Sequence, residues 1–528
     1  MSEFEQRKWR IGEKLPFLID LEWHLFRKHR SRNFKRFRDM SEYILDMVKD
    51  AESITPLEAN GKKVFIFGMI KLWIQYSASL SLTFDLMGYD VTLAYLPYND
   101  WFSDSSARND GALNHIYGEC LDPLSTRVRL EPLFTPAIPD VDLPEDLSGR
   151  IEQISERDFQ YSRQVEEVDK SDPLFALRQK RNRYAARRFL DMLQADRPDV
   201  AIIPNGMILE YGALYQVAQY LGIPAVTYEF GEQKDKIWVS QDKPVMFQDT
   251  DAMWARFKDQ PFTEEQHQQV EELFASRKNA TLWQAFSRQW QEIPSEGESE
   301  VKTKLGLDQR PIVLMAVNVI GDSLTLGRQV YSVDMTEWIS RTLEYFRDKP
   351  EVQFVLRIHP GERYTDGPSV EDIVRERIVD VPGHFHVISA SDKVNTYDLV
   401  EIADLGLTYT TTVGMEMAMS GLPVIVSGNT HYRGKGFTLD PSSWDEFFSM
   451  VEAVLSSPEK YRYSEEKVRT AWHYAYRFFF DYPFPSPWHL RGMRSMFDEF
   501  PISRLLTDEG WQQYGKTFNF LLNEADEG

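Results

Sequence analysis

Apolar and polar positions along the chain follow a repeating grammar: a short, wholly apolar run, a turn residue, then an amphipathic stretch of helical period. Val64–Phe67, closed by Gly68, is the first such run. Unbroken apolar character of that length marks a parallel strand buried on both faces. An amphipathic stretch from about Leu72 to Met87 follows, stops at Gly88 and gives way to a strand at Val91–Tyr95, which completes a βαβ unit. The grammar resumes with a strand at Asp199–Ile203, a helix from about Met207 to Leu221 and a strand at Ala225–Tyr228. Gly222, Ile223 and Pro224 between the last two are the expected end of a helix that turns directly into a parallel strand.

A second series repeats the pattern. Strands are expected at Ile312–Val317, Phe354–Ile358, Phe385–Ile388, Leu405–Thr408 and Pro423–Val426, with helices near 335–346, 370–378, 396–402 and 413–419 between them. Both series predict doubly wound α/β sheets, and the absence of a short sequence repeat excludes a solenoid. The charged, strand-poor stretch 143–197 reads as a helical insertion, and the Gln- and Glu-rich stretch from about Thr263 to Gln291 as helix. Polar Pro294–Glu300 marks the expected domain boundary. The predicted organisation is a helical arm (1–55), a Rossmann-like domain (56–298), a second Rossmann-like domain (299–458) and C-terminal helices (459–528) crossing back to the first. The aromatic run Tyr474–Phe484 reads as a strut for that crossing, with sugar stacking as the alternative.

Composition narrows the function classes. A length of 528 residues suits two cores. A net charge of −22 argues against nucleic acid as the main partner, because a polyanion needs a compensating basic surface. The single cysteine, Cys120, allows no internal disulfide, and no Cys or His spacing suggests zinc. No apolar run reaches the roughly 18 residues of a membrane span, and the first residues lack a signal-peptide pattern, so a cytoplasmic location is expected. Arg27, Lys28, Arg30, Arg32, Lys35, Arg36 and Arg38 interleave with Trp23, Phe26, Phe34 and Phe37. That mixture suits either peripheral contact with the inner face of an anionic membrane or a packed helix with a solvated basic face.

In doubly wound sheets, ligands bind beyond the carboxyl ends of the strands, so the polar residues just after each strand carry the candidate chemistry. Arg357-Ile358-His359-Pro360 ends one strand with a cation, an imidazole and a rigid turn. Arg357 and His359 share a side of that strand end, and both can donate to phosphate oxygens. Thr410-Thr411-Thr412-Val413-Gly414-Met415-Glu416 ends another strand where a helix begins. A helix start with hydroxyls and a glycine suits a phosphate, and Glu416 suits ribose hydroxyls. Ordinary N-capping by the threonines and helix-start stabilisation by Glu416 are the structural alternatives. A third stretch, 427–438, places Arg433 and Lys435 among three glycines and reads as an anion-binding loop or a surface turn.

Taken in order, Arg357-x-His359-Pro360, Thr411-Thr412-Val413-Gly414-x-Glu416, Gly421-x-Pro423-Val424 and Tyr432-Arg433-Gly434-Lys435-Gly436-Phe437-Thr438 resemble the capsule polysaccharide biosynthesis family. That family includes the capsular Kdo transferases. More loosely, the set is similar to bacterial sialyltransferases with a His-Pro motif. The resemblance covers residues 310–440 and implies a GT-B glycosyltransferase with an interdomain cleft between two Rossmann-like domains. It implies a nucleotide-sugar donor, CMP-linked by preference with UDP or GDP as alternatives, and a surface or capsular glycan or glycolipid acceptor. By the same resemblance His359 contacts the donor phosphate, with Thr411, Thr412 and Gly414 beside it and Glu416 near the ribose.

The catalytic base is then expected from the N-terminal domain. The acidic pair and glycine of sialyltransferases have their nearest analogue in Glu229-Phe230-Gly231-Glu232, a departure that leaves Glu229, Glu232 or another carboxylate as the base. Such a base deprotonates the acceptor hydroxyl while cations stabilise the departing phosphate, and domain closure accompanies turnover. Asp140-Val141-Asp142 in a Pro-rich loop reads as a turn, so no metal is expected, and the nucleotide sugar is a substrate and not a cofactor. Two rivals remain: a nucleotide-sugar 2-epimerase, and a non-catalytic subunit of a polysaccharide assembly complex.

Overall fold

The computed structural model describes residues 3–15, 32–97, 101–104, 107–136, 141–241, 243–281, 293–365, 367–378 and 380–524. Its strands are β1 (Lys63–Met69), β2 (Asp90–Leu96), β3 (Arg129–Pro132), β4 (Val200–Pro204), β5 (Ala225–Glu229) and β6 (Lys236–Ser240). They continue with β7 (Ile312–Ala316), β8 (Gln353–Arg357), β9 (Phe385–Ile388), β10 (Leu405–Thr408), β11 (Val424–Val426) and β12 (Phe484–Pro485). Two compact units result: Met1–Asp158 with Asp169–Met246 and Phe484–Gly528, and Phe159–Val168 with Phe247–Pro483. Both are α/β and Rossmann-like, as the alternation of apolar runs predicts.

The first unit holds a sheet of order β12-β6-β5-β4-β1-β2-β3. Its β3-β2-β1-β4-β5 portion is parallel, whereas β6 and β12 add antiparallel strands at the edge. Strand β1 shows why its apolar run is unbroken: Val64 and Ile66 enter the core on one face, Phe65 and Phe67 the core on the other. The helix Arg32–Ala51 buries Met40, Tyr43, Ile44 and Met47 in the first of these cores, so it is part of the unit and not an appended arm. Residues 16–31, with most of the basic-aromatic stretch, and the side chains of 32–36 lie outside the described residues, as does Asp140. No described helix is long and apolar enough to cross a membrane. The expected insertion forms helices Glu145–Arg163 and Pro173–Ala195, whose Leu147, Ile151, Ala185 and Phe189 build the opposite core layer.

The second unit holds an all-parallel sheet of order β11-β10-β7-β8-β9. The chain runs outward from β7 through β8 to β9, then returns to the other side of β7 as β10 and β11. This places a topological switch point between β7 and β10. The unit begins at Phe247, earlier than the polar segment 294–300 suggests. Trp254, Val270 and Leu273 explain the shift, because they pack in one core with Val301 and Leu314. Similarly, the helix Glu465–Tyr476 and the turn Arg477–Asp481 stay with this unit, and the chain rejoins the first at Phe484. The aromatic run therefore packs a core: Phe478 stacks on His431 with ring centroids 3.8 Å apart and planes 6° from parallel.

Candidate functional site

Strand register aligns the ends of the second sheet. Thr408 pairs with Ala316, Ala316 with Arg357, and Arg357 with Ile388, so four strands finish in one row. Beyond that row the loops surround a cavity of about 490 Å³. Arg357, His359 and Pro360 line one side, Thr411, Thr412 and Val413 another, and Arg277 and Glu416 also face it.

Arg357 is buried as the last residue of β8. Its Nη1 donates to the Ser389 carbonyl at 2.7 Å and its Nε to Thr396 Oγ1 at 3.4 Å, which fixes the guanidinium's plane. Burial lowers its pKa to about 10, so the group stays cationic at neutral pH. His359 is exposed, and its Nδ1 accepts the Gly361 N–H at 3.0 Å. A neutral imidazole in that arrangement carries its proton on Nε2, which makes Nε2 a donor. Glu362, in the same short 3-10 helix Pro360–Tyr364, instead accepts from Ser369 Oγ and from the N–H of Val370 at 3.2 Å, holding the start of the next helix.

Across the cavity, Thr410 stands behind the wall: its N–H and hydroxyl both donate to Asn318 Oδ1 at 3.2 Å, tying the β10 loop to the β7 loop. Thr412 precedes the helix Val413–Met419 without a side-chain capping bond, whereas Thr411 Oγ1 accepts the N–H of Val413, the first helical residue, at 3.5 Å. Gly414 is buried and tightly packed, and it does not line the cavity. A Cβ there would lie 2.3 Å from Tyr432 Oη and 2.7 Å from Thr408 Oγ1, and that phenol donates to the Thr411 carbonyl at 2.6 Å. Tyr432 thus props the loop that carries Thr411.

Glu416 is ion-paired with Arg277, whose guanidinium sits 4.7 Å from the Phe274 ring and 4.6 Å from Phe479. Burial raises the Glu416 carboxyl, and Arg277 and Tyr397 oppose it. The sequence did not single out Arg277, which lies on a helix read only as polar. The one available signal was Phe274 three residues earlier, on the same helical face. Arg433 donates to the carbonyls of Val426 and Pro441, and Lys435 pairs with Asp251. Both cations are engaged within the protein, and neither lines the cavity.

In the first unit, Glu229 closes β5 beside β4. Its Oε1 accepts the Phe230 N–H at 3.0 Å and its Oε2 accepts from Asn205 Nδ2 at 3.2 Å. Burial pushes its carboxyl up to about 7, within range of a proton acceptor at neutral pH. Glu232 is half-buried, three residues on in the loop before β6. Among the described residues no cluster of His, Cys, Asp and Glu is suited to a metal ion.

No protein-family model matches the chain, and no curated protein matches it. Among solved structures it is similar to the β-Kdo 2,4-transferase KpsC of Thermosulfurimonas dismutans, at 16% identity over 52% of this chain and 79% of that one, with a TM-score of 0.32. It is also similar to the UDP-GlcNAc 2-epimerase of Neisseria meningitidis bound to UDP-GlcNAc, at 13% identity over 80% of this chain and 99% of that one, with a TM-score of 0.25. A third is the UDP-GlcNAc 2-epimerase of Methanocaldococcus jannaschii, at 12% identity over 79% of this chain and 98% of that one, with a TM-score of 0.28. Likenesses this remote assign no activity.

Proposed function

We propose that this chain is a glycosyltransferase that moves a sugar from a nucleotide-activated donor to a glycan or glycolipid acceptor. The observation that carries the reading is the cavity beside the switch point, where Arg357 and His359 face Thr411 and Thr412. A buried cation, an imidazole donor and two hydroxyls at the carboxyl ends of β8 and β10, the two strands that flank β7, suit the phosphate of a nucleotide. The motifs of these loops favour a CMP-linked donor, with UDP and GDP as alternatives. Glu416 is assigned to the ribose hydroxyls.

In this reading the acceptor hydroxyl loses its proton to Glu229 as its oxygen bonds to the anomeric carbon. The bond from that carbon to the phosphate oxygen breaks, and Arg357 and the His359 Nε2–H meet the charge left on the phosphate. Protein cations take the part that a metal plays in other transferases, so no metal requirement is assigned.

Incubation of the purified protein with CMP-, UDP- and GDP-sugars tests the reading. Free nucleotide released only when a glycan acceptor is added is the expected result. An isomerised sugar without acceptor would replace the reading by 2-epimerisation, and no binding of any nucleotide would leave a non-catalytic subunit.

A further inference from the structure

The turn that follows β4 carries three left-handed residues within five positions: Asn205 at φ 59°, Gly206 at φ 80° and Leu209 at φ 55°. Asn205 and Gly206 adopt that region readily, whereas at Leu209 it is strained, and such strain persists only where the surroundings over-determine it. Here the three left-handed residues are each tied through their N–H groups. The Asn205 N–H donates to the Tyr228 carbonyl at 2.8 Å and the Gly206 N–H to the Pro204 carbonyl at 2.6 Å. The Leu209 N–H donates to Asp158 Oδ1 at 2.5 Å. Asp158 is in turn bonded to Arg178 at 3.2 Å, which reaches Glu210 at 3.1 Å, and all three side chains are fully buried. A buried ionic network is an expensive way to hold a loop, and here it ties down the far end of the turn, at Leu209.

The orientation of the Asn205 amide is unambiguous. Asn205 Oδ1 accepts the Met207 N–H at 3.1 Å, so Nδ2 is the end that faces Glu229 Oε2, at 3.2 Å. The left-handed backbone at Asn205 keeps the side chain against β5, where a plain helix start would carry it away. We propose that Asn205 is a positioning residue for Glu229, the turn after β4 aiming its amide donor at the carboxylate, fixing Oε2 and favouring the ionised form. The inference rests on Glu229 being the base.

The neighbouring groups make the effect readable. Burial raises Glu229, and the donors from Asn205 and Phe230 are what oppose it. Among the described residues the phenols of Tyr211 and Tyr228 sense Glu229, and burial holds both protonated far above neutral pH. Loss of the Asn205 donor therefore leaves burial less opposed, and the carboxyl moves further up.

Asn205→Gly and Asn205→Asp test this, because both tolerate the left-handed backbone. The first removes the donor and the second replaces it with a like charge. Sugar-nucleotide turnover with acceptor is followed against pH in each variant, with Glu229→Gln as the reference. The acid limb is expected to move up by about 1 to 2 pH units in Asn205→Gly and further in Asn205→Asp. A second measurement needs no turnover: the pH at which the stability difference between Glu and Gln at 229 levels off is expected to rise by the same interval in the Asn205→Gly background. An inactive Glu229→Gln with an unmoved limb and an unmoved stability profile would overturn the role of Asn205 alone. Full turnover in Glu229→Gln would overturn the base assignment and this inference with it.

Discussion

Thr408 and Arg357 stand in one cross-strand row, each paired with Ala316 of the strand between them. Two strand spacings separate them by about 10 Å, a gap that a phosphate and its ribose can bridge. If the cavity beyond this row holds the nucleotide, Arg357→Met and His359→Ala should each weaken CMP or UDP binding by about 10- to 100-fold. Titration calorimetry checks this. The two variants should differ in stability: His359 is exposed and its loss costs under about 0.5 kcal/mol, whereas Arg357→Met deprives the Ser389 carbonyl of its donor. Unchanged affinity in both would move the nucleotide out of this cavity.

Gly414 and Tyr432 compete for the same space. In Gly414→Ala the new methyl would overlap Tyr432 Oη, displacing the phenol from the Thr411 carbonyl at a cost of about 1–3 kcal/mol. Tyr432→Phe removes the overlapping oxygen and should cost about 1 kcal/mol alone. The double variant is expected to be more stable than the sum of the two losses, because the clash at 2.3 Å is gone while the contact with Thr408 Oγ1 remains. Urea unfolding of the four proteins gives the coupling directly, and strict additivity would deny the overlap.

The contrast between these two pairs shows what a sequence makes legible. Strand ends with Arg357, His359 and the threonines were visible because parallel strands advertise themselves as unbroken apolar runs and ligands lie just beyond them. The purpose of Gly414 was hidden, since only tertiary packing brings Tyr432 onto it. Likewise β3, β6 and β12 escaped notice: their sequences are Arg-Leu-Glu-Pro, Lys-Ile-Trp-Val-Ser and Phe-Pro, edge strands with mixed polarity and too little length to show a pattern. The unit boundary was misplaced for a related reason. Polar Pro294–Glu300 looks like a linker, yet Val270 and Leu273 before it share a core with Leu314 after it.

Arg277 and Glu416 form a buried ion pair, and breaking it from either side leaves a charge without its partner. Arg277→Met should destabilise the protein by about 3–5 kcal/mol at neutral pH. It should also push the Glu416 carboxyl further above its ordinary range, since Arg277 is the main opponent of burial there. The variant therefore regains part of its lost stability as the pH falls and Glu416 takes up a proton. Thermal unfolding from pH 5 to 8 reads this, and a stability gap that does not narrow towards low pH would contradict it.

Glu229 offers the strictest test, because its two expected pH effects run in opposite directions. Burial raises its carboxyl from an ordinary 4.5 to about 7, so between those values the folded protein holds a proton that the unfolded chain has lost. Stability therefore falls as the pH rises through that window, and Glu229→Gln removes the fall. The Gln variant should match the wild type near pH 4 and exceed it at pH 8 by about 1–3 kcal/mol. Turnover behaves oppositely, since a base works as the carboxylate: wild-type activity should climb through pH 7, and the Gln variant should lose about 10² to 10⁴ in rate. A more stable protein that no longer transfers sugar is the signature of a residue kept for chemistry at the expense of the fold. A Gln variant that is less stable at pH 8 would show that Glu229 serves the fold instead.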